Sequence, residues 1–139
     1  MRIIFVCTGN TCRSPMAESI ASKLLPQYHI ESRGLMAVEG QPVASHTRTV
    51  LLTQNYPMPS HAQQFQREDL QADLILTMTQ EHQRHIEQLY GPQQHVYTLK
   101  AYINQTADIA DPFGGPLEMY QMLFEQLERD IFKLKEQFD

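Results

Sequence analysis

The chain contains no tryptophan and only two cysteines, Cys7 and Cys12, in 139 residues. With no cysteine after position 12 there is no disulfide framework to staple the fold and no second ligand pair for a thiolate zinc site. Long apolar runs are missing as well. Nowhere do about 18 uninterrupted apolar residues occur, and the start of the chain carries no cleavage-site pattern, so neither a spanning helix nor a signal peptide is expected, and a cytoplasmic, reducing location is. Positive charge is in deficit, with 11 Lys and Arg against 16 Asp and Glu and a formal net charge of -5. That balance argues against nucleic acid or an anionic membrane surface as the main partner. Repeats, linkers and low-complexity tracts are absent too, and 139 residues at 42% hydrophobic content suffice for one core, so a single domain over 1–139 is expected.

What is present is concentrated near the start. Ile3-Ile4-Phe5-Val6 is short, β-branched and aromatic, the composition of a buried central strand. Cys7 follows it, and Thr8-Gly9-Asn10-Thr11-Cys12-Arg13 leads to Ser14-Pro15, a cap residue and then a proline, the opening of a helix through Leu25. Gly9 is expected to supply backbone angles closed to other residues, so that successive N–H groups converge on one anion. The helix directs its positive end at the same place. A thiol at a helix N-terminus beside a guanidinium ionises far more readily than a free one, which makes Cys7 a candidate nucleophile. Arg13 offers two parallel N–H donors to phosphoryl oxygens, and Ser14 a hydrogen bond to the sulfur. A cysteine at a strand end is ordinarily a small buried hydrophobe. The joint occurrence of strand, Cys, Gly, Arg, Ser-Pro and helix sets this one apart. The loop lacks the Gly-Lys-Ser/Thr ending of a nucleotide-binding loop.

Strands and helices alternate through the rest: a strand within 28–35 turning at Gly34, a loop over 36–42 suited to a wall of the site, a helix over 45–54 stopped by Tyr56-Pro57-Met58-Pro59, a helical turn over 67–71, a strand over 73–77, a helix over 80–90 ended by Gly91-Pro92, a strand over 95–97, a brief helix over 99–103 and a terminal helix over 117–138. The last has its apolar spacing at Leu123, Leu127, Ile131 and Leu134. This order predicts an α/β fold with helices on both faces of a mostly parallel sheet, and ligands in such sheets bind at the carboxyl ends of strands, where the Cys7 loop falls. Asp108 reads as a solvated carboxylate, His82 and His85 as helix residues without a third metal-type partner, Met78, Met119 and Met122 as core filling, and Tyr97, Tyr102 and Tyr120 as packing residues.

From Val6 through Glu18, and again at Asp111-Pro112-Phe113-Gly114-Gly115, the chain resembles the low-molecular-weight protein tyrosine phosphatases and their bacterial relatives, which include protein arginine phosphatases and thioredoxin-coupled arsenate reductases. Ser32-Arg33-Gly34, where the family more often has Ser-Ala-Gly, and Ala72 through Met78 are weaker echoes. The resemblance implies a four-stranded, flavodoxin-like architecture. It also implies that Cys7 attacks phosphorus, Arg13 holds the phosphoryl oxygens and Asp111 is the general acid. Thr8, Gly9, Asn10, Thr11, Cys12, Ser14 and Phe113 complete the expected substrate-binding set, Asn10 more as a brace of the loop than as a contact. No metal or cofactor is expected; phosphorylated proteins are the expected substrates and a monomer the expected state. Cys12 lies within the same loop, either as an ordinary loop residue or as the partner of a reversible, protective disulfide with Cys7.

Within the family, tyrosine-directed members commonly carry a bulky aliphatic residue where this chain has Thr11, and two aromatics after Asp-Pro, where it has Phe113 and then Gly114. The segments around Thr8, Thr11 and Asp111 look instead like those of bacterial arginine phosphatases. Protein arginine phosphatase is therefore the expected activity and protein tyrosine phosphatase the alternative. A thioredoxin-coupled arsenate reductase needs further cysteines, a phosphocysteine carrier has little use for Arg13 with Asp111, and a non-catalytic phosphate-binding module would tolerate Cys7→Ser.

Overall fold

A computed structural model describes residues Met1–Asp139. Strand β1 (Arg2–Cys7) leads through the cysteine loop to α1 (Arg13–Leu24), followed by β2 (His29–Gly34), α2 (Ser45–Thr53), a 3-10 turn (Arg67–Gln71), β3 (Leu74–Thr77), α3 (Gln80–Tyr90), β4 (Val96–Thr98), α4 (Leu99–Tyr102) and α5 (Leu117–Phe138). The four strands pair in parallel in the order β2-β1-β3-β4. Ile3, Ile4, Phe5 and Val6 are all fully buried, as a central strand covered on both faces requires. Alternation divides them: Ile3, Phe5 and Cys7 pack with Met16 and Ile20 of α1 and Leu127 and Ile131 of α5, while Ile4 and Val6 pack with Phe65, Ile86 and Val96 on the other face. Leu123, Leu127, Ile131 and Leu134 form the buried stripe of α5, as their spacing predicts. No helix is long and apolar enough to cross a membrane.

Several boundaries differ from the sequence reading for identifiable reasons. Helix α1 begins at Arg13, and its N-cap is Cys12, with no side-chain cap, rather than Ser14. Pro15 becomes the third helical residue, still within the first turn, whose N–H groups lack intrahelical acceptors. Strand β3 begins after Asp73, whose carboxylate accepts from the Arg2 N–H at 2.7 Å. Strand β4 extends to Thr98, which pairs with Thr77 and also caps α4 by accepting from the Ala101 N–H at 3.0 Å. Met78 is core, but Met119 and Met122 lie on the solvent side of α5 and are not. Tyr120 is buried as expected, whereas Tyr97 is partly exposed and meets Tyr102 edge-on at 5.2 Å.

Ser32-Arg33-Gly34 accounts for its own departure from the family pattern. The Arg33 guanidinium lies between Glu31 at 2.8 Å and Asp69 at 3.3 Å, a local clamp that a small residue at 33 would leave unmade. Gly34 pairs with Cys7 across β1 and β2. A Cβ there would stand 2.6 Å from the Thr8 carbonyl oxygen, so the strand can lie against the cysteine loop only because residue 34 has no side chain.

Candidate active site

The loop between β1 and α1 carries six consecutive backbone N–H groups, Thr8 through Arg13, that donate to no other protein group. Such a run is what an anion cradle needs. The left-handed residue that shapes it is Asn10, with φ 58°, and not Gly9. A Cβ at Gly9 would meet only Thr11 Oγ1 at 3.8 Å, an ordinary contact. Asparagine tolerates the left-handed region, and here its side chain holds it there. Asn10 Oδ1 accepts from the Gln63 N–H at 2.9 Å, which fixes the amide orientation, and Nδ2 donates to Ser14 Oγ at 2.8 Å and Ser32 Oγ at 2.9 Å.

That orientation has a consequence at the sulfur. Ser14 Oγ lies 2.9 Å from Cys7 Sγ. The Ser14 oxygen accepts from Asn10, and its own hydrogen has two acceptors within reach, the Arg33 carbonyl at 3.3 Å and the sulfur at 2.9 Å; turned to the sulfur, it stabilises a thiolate. Ser32 in turn donates to the Glu18 carboxyl, which burial pushes up from its ordinary range. Asn10 and Ser14 are wholly buried behind the loop. Their side chains support the cradle from behind, while the Asn10 N–H remains one of its six donors.

In front of the loop lies a cleft of about 350 Å³ lined by Cys7, Thr8, Gly9, Thr11, Cys12, Arg13, Gln41, Asp111 and Phe113. The fold thus brings Asp111, from the far end of the chain, to the loop of Cys7 and Arg13. Arg13 is buried and donates through Nη1 to the Ile109 carbonyl at 2.9 Å, leaving Nη2 3.6 Å from Asp111 Oδ2. The other Asp111 oxygen accepts from the Phe113 N–H at 3.0 Å, a turn that leaves the carboxyl half exposed and the Phe113 ring 78% exposed at the mouth. Asp108 is not simply solvated: it accepts from the Gln80 N–H at 2.9 Å, at the start of α3.

The rim opposite Asp111 is fixed through backbone. The Thr11 carbonyl accepts from the Ala44 N–H at 2.9 Å and the Thr47 hydroxyl at 3.3 Å, while the Thr11 hydroxyl has only a 3.8 Å contact to Cys12 Sγ. Cys12 is a different thiol from Cys7. Burial raises its pKa, and its Sγ lies 3.5 Å from the Tyr120 hydroxyl. Gln41 lies in the wall expected over 36–42, whereas two residues behind the cleft escaped the sequence reading: Tyr120 behind Cys12, and His82, whose Nε2 lies 2.9 Å from Thr8 Oγ1. For His82 a signal existed, since Thr79 stands three residues before it at the helix start.

Comparison with known proteins bears on this geometry. Residues 2–139 match the family described as low molecular weight phosphotyrosine protein phosphatase. A relative from Staphylococcus haemolyticus, the low molecular weight protein-tyrosine-phosphatase PtpB, is 50% identical over 135 residues, 97% of this chain and 98% of its own. Among solved structures, the YwlE arginine phosphatase from Geobacillus stearothermophilus superposes with a TM-score of 0.93 at 38% identity, covering 99% of this chain and 92% of that one. A low molecular weight protein tyrosine phosphatase from T. tengcongensis superposes with a TM-score of 0.93 at 39% identity, covering 99% of both chains.

Proposed function

The chain belongs to the low molecular weight phosphotyrosine protein phosphatase family, a family of cysteine-dependent phosphatases, and from that premise we propose that it hydrolyses phosphoarginine on proteins, with residues 1–139 acting as one cytoplasmic, monomeric phosphatase. The observation that carries the choice of substrate is the polar rim. Thr11 offers the cleft a hydroxyl with no strong partner of its own, and Gln41 offers an amide, so the substrate's guanidino nitrogens meet hydrogen-bonding groups. A solved arginine phosphatase of nearly the same backbone supports the same reading.

The chemistry follows from the cleft. Cys7 attacks phosphorus as the thiolate, forming an S–P bond, while the loop N–H groups and Arg13 take the charge on the phosphoryl oxygens. The P–N bond breaks as Asp111, protonated, gives its proton to the departing nitrogen, because a guanidine is too strong a base to leave as an anion. Water then attacks the phosphocysteine, Asp111 accepts the water proton, and the sulfur departs as thiolate to the Ser14 hydroxyl. Phosphate leaves with no metal or other cofactor taking part.

A tyrosine phosphatase is the second reading. It is favoured by the name of the PtpB relative and by the exposed Phe113 ring, a surface on which a phenyl group can lie. Phosphate release from phosphoarginine, phosphotyrosine and an activated aryl phosphate by one purified sample separates the two. Thr11→Ile sharpens the test, since it removes the hydroxyl and thickens the apolar rim while keeping Cys7 and Arg13. It should lower kcat/KM for phosphoarginine at least ~10-fold, about 1.4 kcal/mol, and keep or raise it for phosphotyrosine. A wild type that prefers phosphotyrosine, with neither value changed in the variant, makes the second reading the right one.

A further inference from the structure

His82 is a buried polar side chain that the reaction above leaves unused, and each of its ring nitrogens has a partner. Thr79 is the N-cap of α3, and its hydroxyl oxygen accepts from the His82 backbone N–H at 3.1 Å. The same hydroxyl lies 3.0 Å from His82 Nδ1, and Nε2 lies 2.9 Å from Thr8 Oγ1. With the Thr79 hydroxyl hydrogen given to Nδ1, the Thr79 oxygen keeps one accepted hydrogen bond, from the His82 backbone N–H. A neutral ring that accepts at Nδ1 carries its hydrogen on Nε2, and that hydrogen goes to Thr8. Thr8, which lines the Cys7 cleft, has no other protein partner at Oγ1, so its hydroxyl hydrogen is left uncommitted.

We propose that His82 is a positioning residue of the phosphate loop: acting through Thr8, the first residue after Cys7, it ties the loop to α3 and turns the Thr8 hydroxyl hydrogen toward the bound phosphoryl group. This rests on the reading of the Cys7 cleft as the phosphoryl site. The charge state agrees with it. Burial, and then the nearby Arg13 cation, push the His82 pKa down to about 4; Asp108 and Asp111 oppose this, and His85 adds to it. Around neutral pH the ring is therefore uncharged, as the relay requires. The arrangement is written in the chain as a threonine cap with a histidine at the third helical position, so that one helix start fixes both the cap and the ring.

The test compares wild type with His82→Ala, His82→Gln, Thr8→Val, the double variant His82→Ala/Thr8→Val, and Cys7→Ser. It measures kcat and KM on an aryl phosphate and competitive inhibition by inorganic phosphate. One uncharged hydrogen bond corresponds to a factor of roughly 2 to 13. His82→Ala should raise the phosphate inhibition constant by about that factor, with a larger effect on KM than on kcat. Thr8→Val should do the same, the double variant should add little, and His82→Gln, which retains an N–H donor, should recover most of the loss. Thr8 lies at the surface, so Thr8→Val keeps the proposal falsifiable even where a His82 variant fails to fold. Additive losses, or an unchanged phosphate constant in Thr8→Val or His82→Ala beside an inactive Cys7→Ser, would overturn the role of His82 alone. Turnover by Cys7→Ser would instead bring down the reading of the cleft.

Discussion

Asp111 and Cys12 illustrate how little residue type decides without surroundings. Two cysteines occupy one loop: Cys7 Sγ lies 2.9 Å from the Ser14 hydroxyl, whereas Cys12 Sγ lies 3.5 Å from that of Tyr120 and burial raises its pKa. Asp108 and Asp111 are two carboxylates on one segment, of which the first caps the start of α3 and the second lines the cleft beside Arg13. The role proposed for Asp111 depends on the leaving group. Asp111→Asn is expected to reduce kcat/KM for phosphoarginine by ~10²- to 10⁴-fold, because the departing nitrogen loses its proton source. An activated aryl phosphate, whose leaving group is stable as an anion, should lose far less. Parallel kinetics on the two substrates check this; equal losses would mean that the carboxyl shapes its loop and does not act as the acid.

At the scale of elements, the site is an agreement between the end of β1, the start of α1 and the end of β2. Asn10 supplies the left-handed turn, Ser32 of β2 holds the Asn10 amide from behind, and Gly34 permits the close approach. Gly34→Ala tests that agreement. The added methyl would stand 2.6 Å from the Thr8 carbonyl oxygen and 3.0 Å from the β-carbons of Ala37 and Asn10. Two of these three neighbours belong to the cysteine loop, so the loop must give way. Overpacking of this kind destabilises by about 1–3 kcal/mol. The variant should melt earlier than wild type, and its phosphate inhibition constant should rise while the protein is still folded. Thermal melts paired with inhibition assays read both effects, and a lower melting temperature with unchanged phosphate binding would detach the strand contact from the shape of the cradle.

Across the whole molecule, the apolar cluster that carries stability reaches the site through Cys7, Cys12 and Tyr120 and extends well beyond it. The larger apolar cluster lies between the sheet, α1 and α5, and Ile131 sits within it, fully buried. Tyr120, the α5 residue that reaches Cys12, lies three turns away along the same helix. Ile131→Ala should therefore cost about 2–5 kcal/mol of folding stability while leaving kcat/KM at 25 °C near the wild-type value. Urea denaturation with steady-state kinetics checks the pair of outcomes. A fall in kcat/KM equal to that of the loop variants would mean that α5 transmits strain to the cradle.

The sequence by itself determined whatever depends on neighbours along the chain. The apolar run Ile3–Val6 reads as a buried strand, the spacing of Leu123, Leu127, Ile131 and Leu134 as one face of a helix, and the Gly91-Pro92 pair as a stop, because each follows from local geometry or periodicity. The Cys7 to Pro15 loop was legible for the same reason, although the left-handed position was not. Gly9 is the residue free to adopt it, but Asn10 adopts it because Ser14, Ser32 and Gln63 reach its side chain from three different segments. Only the tertiary structure decided which distant groups meet: Asp111 with Arg13, Tyr120 with Cys12, His82 with Thr8. The physical reason is that a parallel sheet gathers the carboxyl ends of strands far apart in the chain onto one edge, and no pattern of nearest neighbours encodes which side chains arrive there together.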